Sequence, residues 1–249
     1  MNKTKLIFPL VLSLMVMISC DNIEQKTSTK EPTVKTNPVS VTTSQVPPPV
    51  IEIPKEPTFA EQLSNAALAR TTHDVTYDGR YIKIAYPMGD VPDSIGVCTD
   101  VIIRSYRKVG IDLQQLLHED IRKNFKLYPN QKRWGLSRPD TNIDHRRVPN
   151  LRVFFSRHGK SLAVTDDPSD YLPGDLVTWK LNGNMVHIGI VSEEKSFNSP
   201  DRYLIIHNIG SGTELSDMLF DYEITGHYRY GLNQEKTNKK RVTSKSHPF

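Results

Sequence analysis

Among the two cysteines and eight histidines of this 249-residue chain, three side chains stand where nucleophilic chemistry would need them: Cys98, His187 and His207. Cys98 is expected at the first position of a helix. There, backbone N–H groups and the positive end of the helix dipole favour thiolate over thiol. The same position would also suit a buried structural thiol, a common fate for free cysteine. His187 lies in the apolar run Met185 to Val191, turned away from Val186, Ile188 and Ile190. His207 ends the next apolar run, Tyr203 to His207, so neighbouring antiparallel strands would bring the two imidazoles to one end of a sheet. Cysteine catalysis needs a thiol, an imidazole to take and return its proton, and a third polar group to fix the imidazole tautomer. Cys98, His187 and His207 fill those roles in chain order. Asn208 competes for the third role, but strand alternation turns it to the opposite face, and His207 is favoured.

Other polar clusters read differently. Asp140, Asn142 and Asp144 begin like a calcium loop, yet the sixth position is His145 rather than Gly and the twelfth is Leu151 rather than Glu, which rejects that site. A hydrogen-bonded turn that lines or braces a cleft is expected over Asp140 to Arg147, with Arg146 or Arg147 available to meet a substrate carboxylate. No histidine pair has the spacing of a helical or hairpin zinc site, so no metal is expected. Gly210-Ser211-Gly212 lacks the remaining glycine and the following helix of a phosphate loop, and no cofactor is expected.

The elements that must position these residues follow from periodicity and capping. Thr58 with Glu61 forms a capping-box pattern that opens a helix running to about Arg70. Tyr81 to Pro87 reads as a short strand. Helices are expected over Cys98 to Val109, stopped by Gly110, over Leu113 to Phe125, and from Asn150 as N-cap to Gly159. Four strands then follow, Leu176–Leu181, Met185–Ser192, Tyr203–Asn208 and Ile224–Tyr230, separated by turn signals. Helices first and antiparallel strands afterwards make an α+β fold, with the helix that bears Cys98 packed on the sheet.

Outside residues 58–233 the composition changes. Lys3 and Lys5 precede an apolar run, Leu6 to Ile18, of signal-peptide length. Its end, Met17-Ile18-Ser19-Cys20, resembles the lipobox of bacterial lipoproteins, which implies residues 1–20 as a leader, lipidation at Cys20, and an exported domain held at a membrane of the cell envelope. Residues 26–57 contain seven prolines and six threonines and no apolar period, so residues 21–57 are expected to form a disordered tether; at ~3.1 Å per residue it could reach on the order of 100 Å. Residues 234–249, with five Lys/Arg against one Glu, read as a solvated basic tail. Residues 58–233 balance 21 basic against 22 acidic side chains, which argues against a dedicated nucleic-acid binder. A single domain of this kind is expected to be a monomer.

Several runs carry a family resemblance. Pro173-Gly174-Asp175-Leu176-Val177-Thr178-Trp179, His187-Ile188-Gly189-Ile190-Val191 and Ile206-His207 resemble the strand signatures of NlpC-type papain-like cysteine peptidases, and Cys98-Thr99-Asp100 resembles their nucleophile element. With Asp140 to Arg147 and Thr225-Gly226-His227-Tyr228-Arg229, residues 60–232 are similar to the YijF-like family of bacterial secreted proteins. The resemblance implies a papain-like α+β domain with Cys98 as nucleophile, His187 as base and His207 as orienting group. It implies further that the Cys98 amide contributes to an oxyanion hole, while Asp100, Arg146, Arg147 and Asn208 are expected to serve the substrate site. The implied activity is hydrolysis of an amide bond, with peptidoglycan stem peptides as the partner. The residue before the nucleophile is Val97, where many cell-wall peptidases have Asp, so the scissile bond does not follow from the resemblance. An acyltransferase with the same three residues, or a catalytically silent wall-binding lipoprotein, would share the sequence pattern.

Overall fold

The computed structural model describes residues 55–231. The leader, Cys20, all of the tether before residue 55 and the basic tail lie outside the described residues. Among the described residues no helix is long and apolar enough to cross a membrane.

Helix α1 (Phe59–Leu68) starts where the capping box forms: Thr58 Oγ1 accepts from Glu61 N at 3.2 Å, and Thr58 N donates back to the Glu61 carboxylate. Its buried stripe of Phe59, Leu63, Ala66 and Ala67 faces the core. A two-stranded parallel pair, β1 (Thr76–Tyr77) and β2 (Ile95–Gly96), leads into α2 (Cys98–Lys108). Helices α3 (Leu113–Asn124), α4 (Asn130–Trp134) and α5 (Val148–His158) complete the helical half.

The sheet half has six strands: β3 (Lys160–Leu162), β4 (Leu176–Lys180), β5 (Val186–Lys195), β6 (Tyr203–His207), β7 (Glu214–Ser216) and β8 (Glu223–Arg229). Every pairing is antiparallel and the spatial order is β3-β8-β4-β5-β6-β7. The fold is α+β with an antiparallel sheet, and β5 lies at its centre because both its faces are apolar. Leu176, Ile188, Ile190 and Ile206 pack against the helices together with Cys98, Val101 and Ile102. Val177, Trp179, Val191 and Ile205 pack on the other face against Tyr171, Met218 and Leu219. Burying such side chains is worth about 1.5–3 kcal/mol each, so two apolar faces fix the register of the central strands firmly.

Two expectations change. Tyr81 to Pro87 is not a strand: it is irregular, with a turn from Tyr86 to Met88. Its backbone is satisfied by side chains instead of a ladder: Ile84 N donates to Asn142 Oδ1 at 2.9 Å, and Gln114 Nε2 donates to Ala85 O at 2.9 Å. Helix α5 begins at Val148, with Pro149 in its first turn, so Asn150 is not the N-cap; it is buried inside the helix and its Nδ2 donates to Asp144 O at 3.0 Å. The short elements α4, β3 and β7 carry too few residues to display a period.

Candidate active site

Cys98 is the first residue of α2, immediately after the N-cap Val97. Valine has no side-chain oxygen to cap a helix, and the helix start is held from the other side. Asp100 Oδ2 accepts from Val97 N at 2.7 Å, the carboxylate half of a capping box. That carboxylate also receives a two-pronged guanidinium: Arg146 Nε donates to Oδ1 at 2.8 Å and Nη2 to Oδ2 at 2.9 Å. Arg146 further donates to Arg80 O and Asp78 O, and Thr99 Oγ1 donates to Arg146 O. The fork thus ties the start of α2 to the segment that precedes it.

The Asp140 to Arg147 turn supplies that fork and braces itself. Asp144 Oδ1 accepts from Asn130 Nδ2 at 3.1 Å and from Arg147 Nη1 at 3.0 Å, while Oδ2 accepts from Asp140 N at 2.7 Å. The Arg147 guanidinium lies over the Trp134 ring, 4.1 Å from its centroid. These contacts give the residues expected at the substrate site partners within the protein. Asp100 and Arg146 are buried and engaged with each other and with backbone, and Arg147 is engaged by Asp144 and Trp134.

His187 is the second residue of β5 and pairs with Trp179 of β4, whose ring centroid is 6.0 Å away. On the same face, its Nε2 lies 3.0 Å from His207 Nδ1, with the two rings at 90°. Gly189 makes this approach possible: a Cβ there would meet Ile205 Cγ2 at 2.6 Å and His207 Cβ at 3.3 Å. The chain of contacts goes on through His207 Nε2, which is 2.7 Å from Ser216 Oγ and 3.6 Å from Glu214 Oε1, both on β7. Asn208 takes no part: it is buried, and its Oδ1 accepts from Gly210 N in the turn beyond β6.

The thiol approaches this pair at the backbone. Cys98 packs with Ile188, one residue beyond His187, on the face of β5 opposite to the His187 and Trp179 side chains, and no direct hydrogen bond joins the thiol to His187. Burial pushes the Cys98 thiol up to about 12, against the smaller pull of the Ile188, Thr99 and Cys98 N–H groups. Burial likewise lowers His187 to about 3, helped by His207, and lowers His207 to about 4. Burial thus works against the expected thiolate and favours the neutral thiol and neutral imidazoles. A helix terminus contributes up to ~2 kcal/mol, or about 1.5 pKa units, whereas full burial shifts a group by as much as ~3–5 units.

Two residues of this neighbourhood carry no sequence signal. Ser216 sits on a three-residue strand. Tyr77, 44% exposed on the two-residue β1, has its phenol pushed up to about 12 by burial and, next, by the proximity of Cys98. Among the described residues no group of three or more His, Cys, Asp or Glu is arranged to hold a metal ion. A separate buried cluster explains the Gly174-Asp175 and His227 to Arg229 runs: Asp175 Oδ2 is 2.8 Å from His227 Nε2, accepts from Arg229 Nη2 at 2.7 Å and from Leu172 N at 3.0 Å. Those residues staple β8 to the turn before β4.

Fold and site together define an α+β domain carrying a buried cysteine at a helix start and a hydrogen-bonded histidine pair on the adjoining sheet. The chain belongs to the family described as a domain of unknown function (DUF1287), whose pattern matches residues 64–230. It is 46% identical to the uncharacterized protein YijF of Escherichia coli (strain K12) over 191 residues, 77% of this chain and 90% of that relative.

Proposed function

We propose that this domain is a papain-like, NlpC-type cysteine hydrolase of the cell envelope that cleaves an amide bond, with peptidoglycan stem peptides as its substrate class. The observation that carries the proposal is the 3.0 Å contact between His187 Nε2 and His207 Nδ1, one residue from the Ile188 that packs with Cys98. A proton on His187 Nε2, donated to His207 Nδ1, leaves His187 Nδ1 free to accept a proton. Because thiol and imidazole both rest neutral, proton transfer to His187 accompanies attack of the sulfur on the carbonyl carbon, as in a serine triad. The C–S bond forms, the carbonyl π pair moves to oxygen, and the Cys98 N–H can receive that oxyanion. Collapse breaks the C–N bond as His187 returns the proton to the leaving amine, and water then releases the acyl group. Export and lipidation at Cys20 would place the domain at its substrate.

The test is release of soluble fragments from purified peptidoglycan. Cys98→Ala and His187→Ala should each abolish release with circular dichroism unchanged; undiminished release by Cys98→Ala rejects the proposal. A second reading, a silent wall-binding domain of the same fold, is favoured by one observation: the thiol is only 4% exposed and lacks a direct bond to His187. It requires wall binding without turnover in the unmodified chain.

A further inference from the structure

The balanced charge of residues 58–233 conceals a strong segregation. Residues 121–160 hold eleven Lys/Arg against two Asp, whereas the remainder of 58–233 holds ten against twenty acidic residues. The basic stretch is contiguous in space: the end of α3, α4, the Asp140 to Arg147 turn and α5 pack on one another. Both of its carboxylates serve the turn, Asp144 in an ion pair with Arg147 and Asp140 in hydrogen bonds with Asn142 and Tyr81.

A cavity of about 670 Å³ opens in this region, and no Asp or Glu is among its lining residues. Four cations line it, Lys126, Lys132, Arg152 and Arg157, together with Tyr128 and Tyr228. Arg157 is matched by Asp120 at 2.8 Å. Among the described residues, Lys126, Lys132 and Arg152 have no carboxylate partner. Arg152 is half-buried and held in place: Nη2 donates to Thr225 O at 2.7 Å, and Nε lies 3.4 Å from Tyr228 Oη. A guanidinium fixed by a carbonyl, with no counter-ion, beside two free ammonium groups costs electrostatic energy that a bound anion would relieve.

We propose that this groove binds a phosphate ester or diphosphate carried on a sugar or polyol. A single carboxylate would leave most of the positive charge unmatched, whereas a phosphoryl group presents several oxygens that suit a guanidinium fork and flanking ammonium groups. The carrier is not a nucleobase, because both lining tyrosine rings are buried and offer no free face for stacking. Nothing in the proposal depends on Cys98.

The test is calorimetric titration of the full chain with sodium pyrophosphate and glycerol 3-phosphate, and sedimentation with vesicles of phosphatidylglycerol or of phosphatidylcholine alone. Pyrophosphate or glycerol phosphate should bind with a salt-dependent affinity that falls at least tenfold in Lys126→Gln/Lys132→Gln and in Arg152→Gln. Arg152→Lys should recover part of the loss, and Arg133→Gln, outside the groove, should change nothing. Sedimentation with phosphatidylglycerol, abolished by the same variants, places the phosphate on a lipid; soluble binding without sedimentation places it on a free ester. Wild-type chain that binds none of these probes overturns the proposal, as does binding indifferent to the groove variants. Tighter, variant-sensitive binding of single-stranded DNA than of either phosphate source also overturns it.

Discussion

Replacing Arg146 by Met isolates the contact on which the geometry of α2 rests. Arg146 and Asp100 are buried, with side-chain exposures of 2% and 4%, and the fork makes two hydrogen bonds to the carboxylate and two to backbone carbonyls. Methionine fills similar volume but leaves the Asp100 carboxylate buried with only the Val97 N–H as a direct partner. Breaking a buried pair by removing one member costs about 3–5 kcal/mol, and a domain of this size loses ~2–4 °C of melting temperature per kcal/mol. The expected fall is therefore roughly 6–20 °C, measured by thermal and urea denaturation. Arg146→Lys should recover little, because one ammonium cannot reproduce the fork. Asp100→Asn combined with Arg146→Met should recover at least half of the loss, because no uncompensated charge remains. A second readout separates this pair from a generic core defect: the start of α2 loosens, and alkylation of Cys98 in the native state should accelerate. A loss below about 1 kcal/mol, the range of exposed ion pairs, with no change in Cys98 reactivity would refute the claim that this fork sets the position of Cys98.

Three other outcomes follow from the site. Ser216→Ala removes the hydroxyl 2.7 Å from His207 Nε2 and should redistribute the His207 and His187 tautomers; nitrogen-15 chemical shifts of the rings read this without a substrate, Ser216→Thr should restore them, and unchanged shifts would remove Ser216 from the relay. Burial lowers His145 to about 3, His187 to about 3 and His207 to about 4, so above the unfolded value of about 6.5 these rings are neutral in both states. Below it the unfolded chain binds protons that the folded chain refuses, and stability should fall as pH drops from about 6.5 toward 4, by ~1.4 kcal/mol per pH unit for each ring; a denaturation midpoint flat across that window would contradict the burial argument. Iodoacetamide should alkylate Cys98 slowly in native protein at neutral pH, with a rise only toward the thiol's elevated value of about 12; rapid alkylation with an inflection below about pH 7 would mean that the helix terminus outweighs burial after all.

What the sequence disclosed divides along physical lines. The central strands were legible because β4, β5, β6 and β8 bury apolar side chains in long enough runs to leave a pattern, and α1 because its capping box lies within four consecutive residues. The His187 and His207 juxtaposition was legible for the same reason, since alternation and antiparallel neighbours place both rings on one face. The Asp100 and Arg146 pairing was not: the two residues are 46 positions apart, and a loop arginine looks the same in sequence whether it meets solvent, substrate or a buried carboxylate. Tyr81 to Pro87 misled because its alternation is real, with Ile82 and Ile84 less exposed than their neighbours. Alternation reports which way side chains point. It does not report whether another strand lies alongside, and here Asn142 and Gln114 satisfy the backbone instead. Ser216 was invisible because three residues cannot show a period of two.

The neutrality of the thiol and its imidazoles follows from the same two-faced sheet that makes the fold readable. A central strand with apolar residues on both faces excludes water, and a sulfur packed in one cluster with its Ile188 and Ile190 shares the exclusion. A preformed thiolate would need water or a direct cationic partner, and the structure provides neither, only N–H groups from Ile188, Thr99 and Cys98. Those donors cannot by themselves ionise the sulfur, yet they become effective once negative charge begins to form, when desolvation strengthens every fixed dipole aimed at it. On the hydrolase we propose, the same burial that silences Cys98 at rest is compatible with chemistry only if proton removal by His187 coincides with bond formation, and the partner that fixes the His187 tautomer, His207 through Ser216, is then as consequential as the sulfur itself.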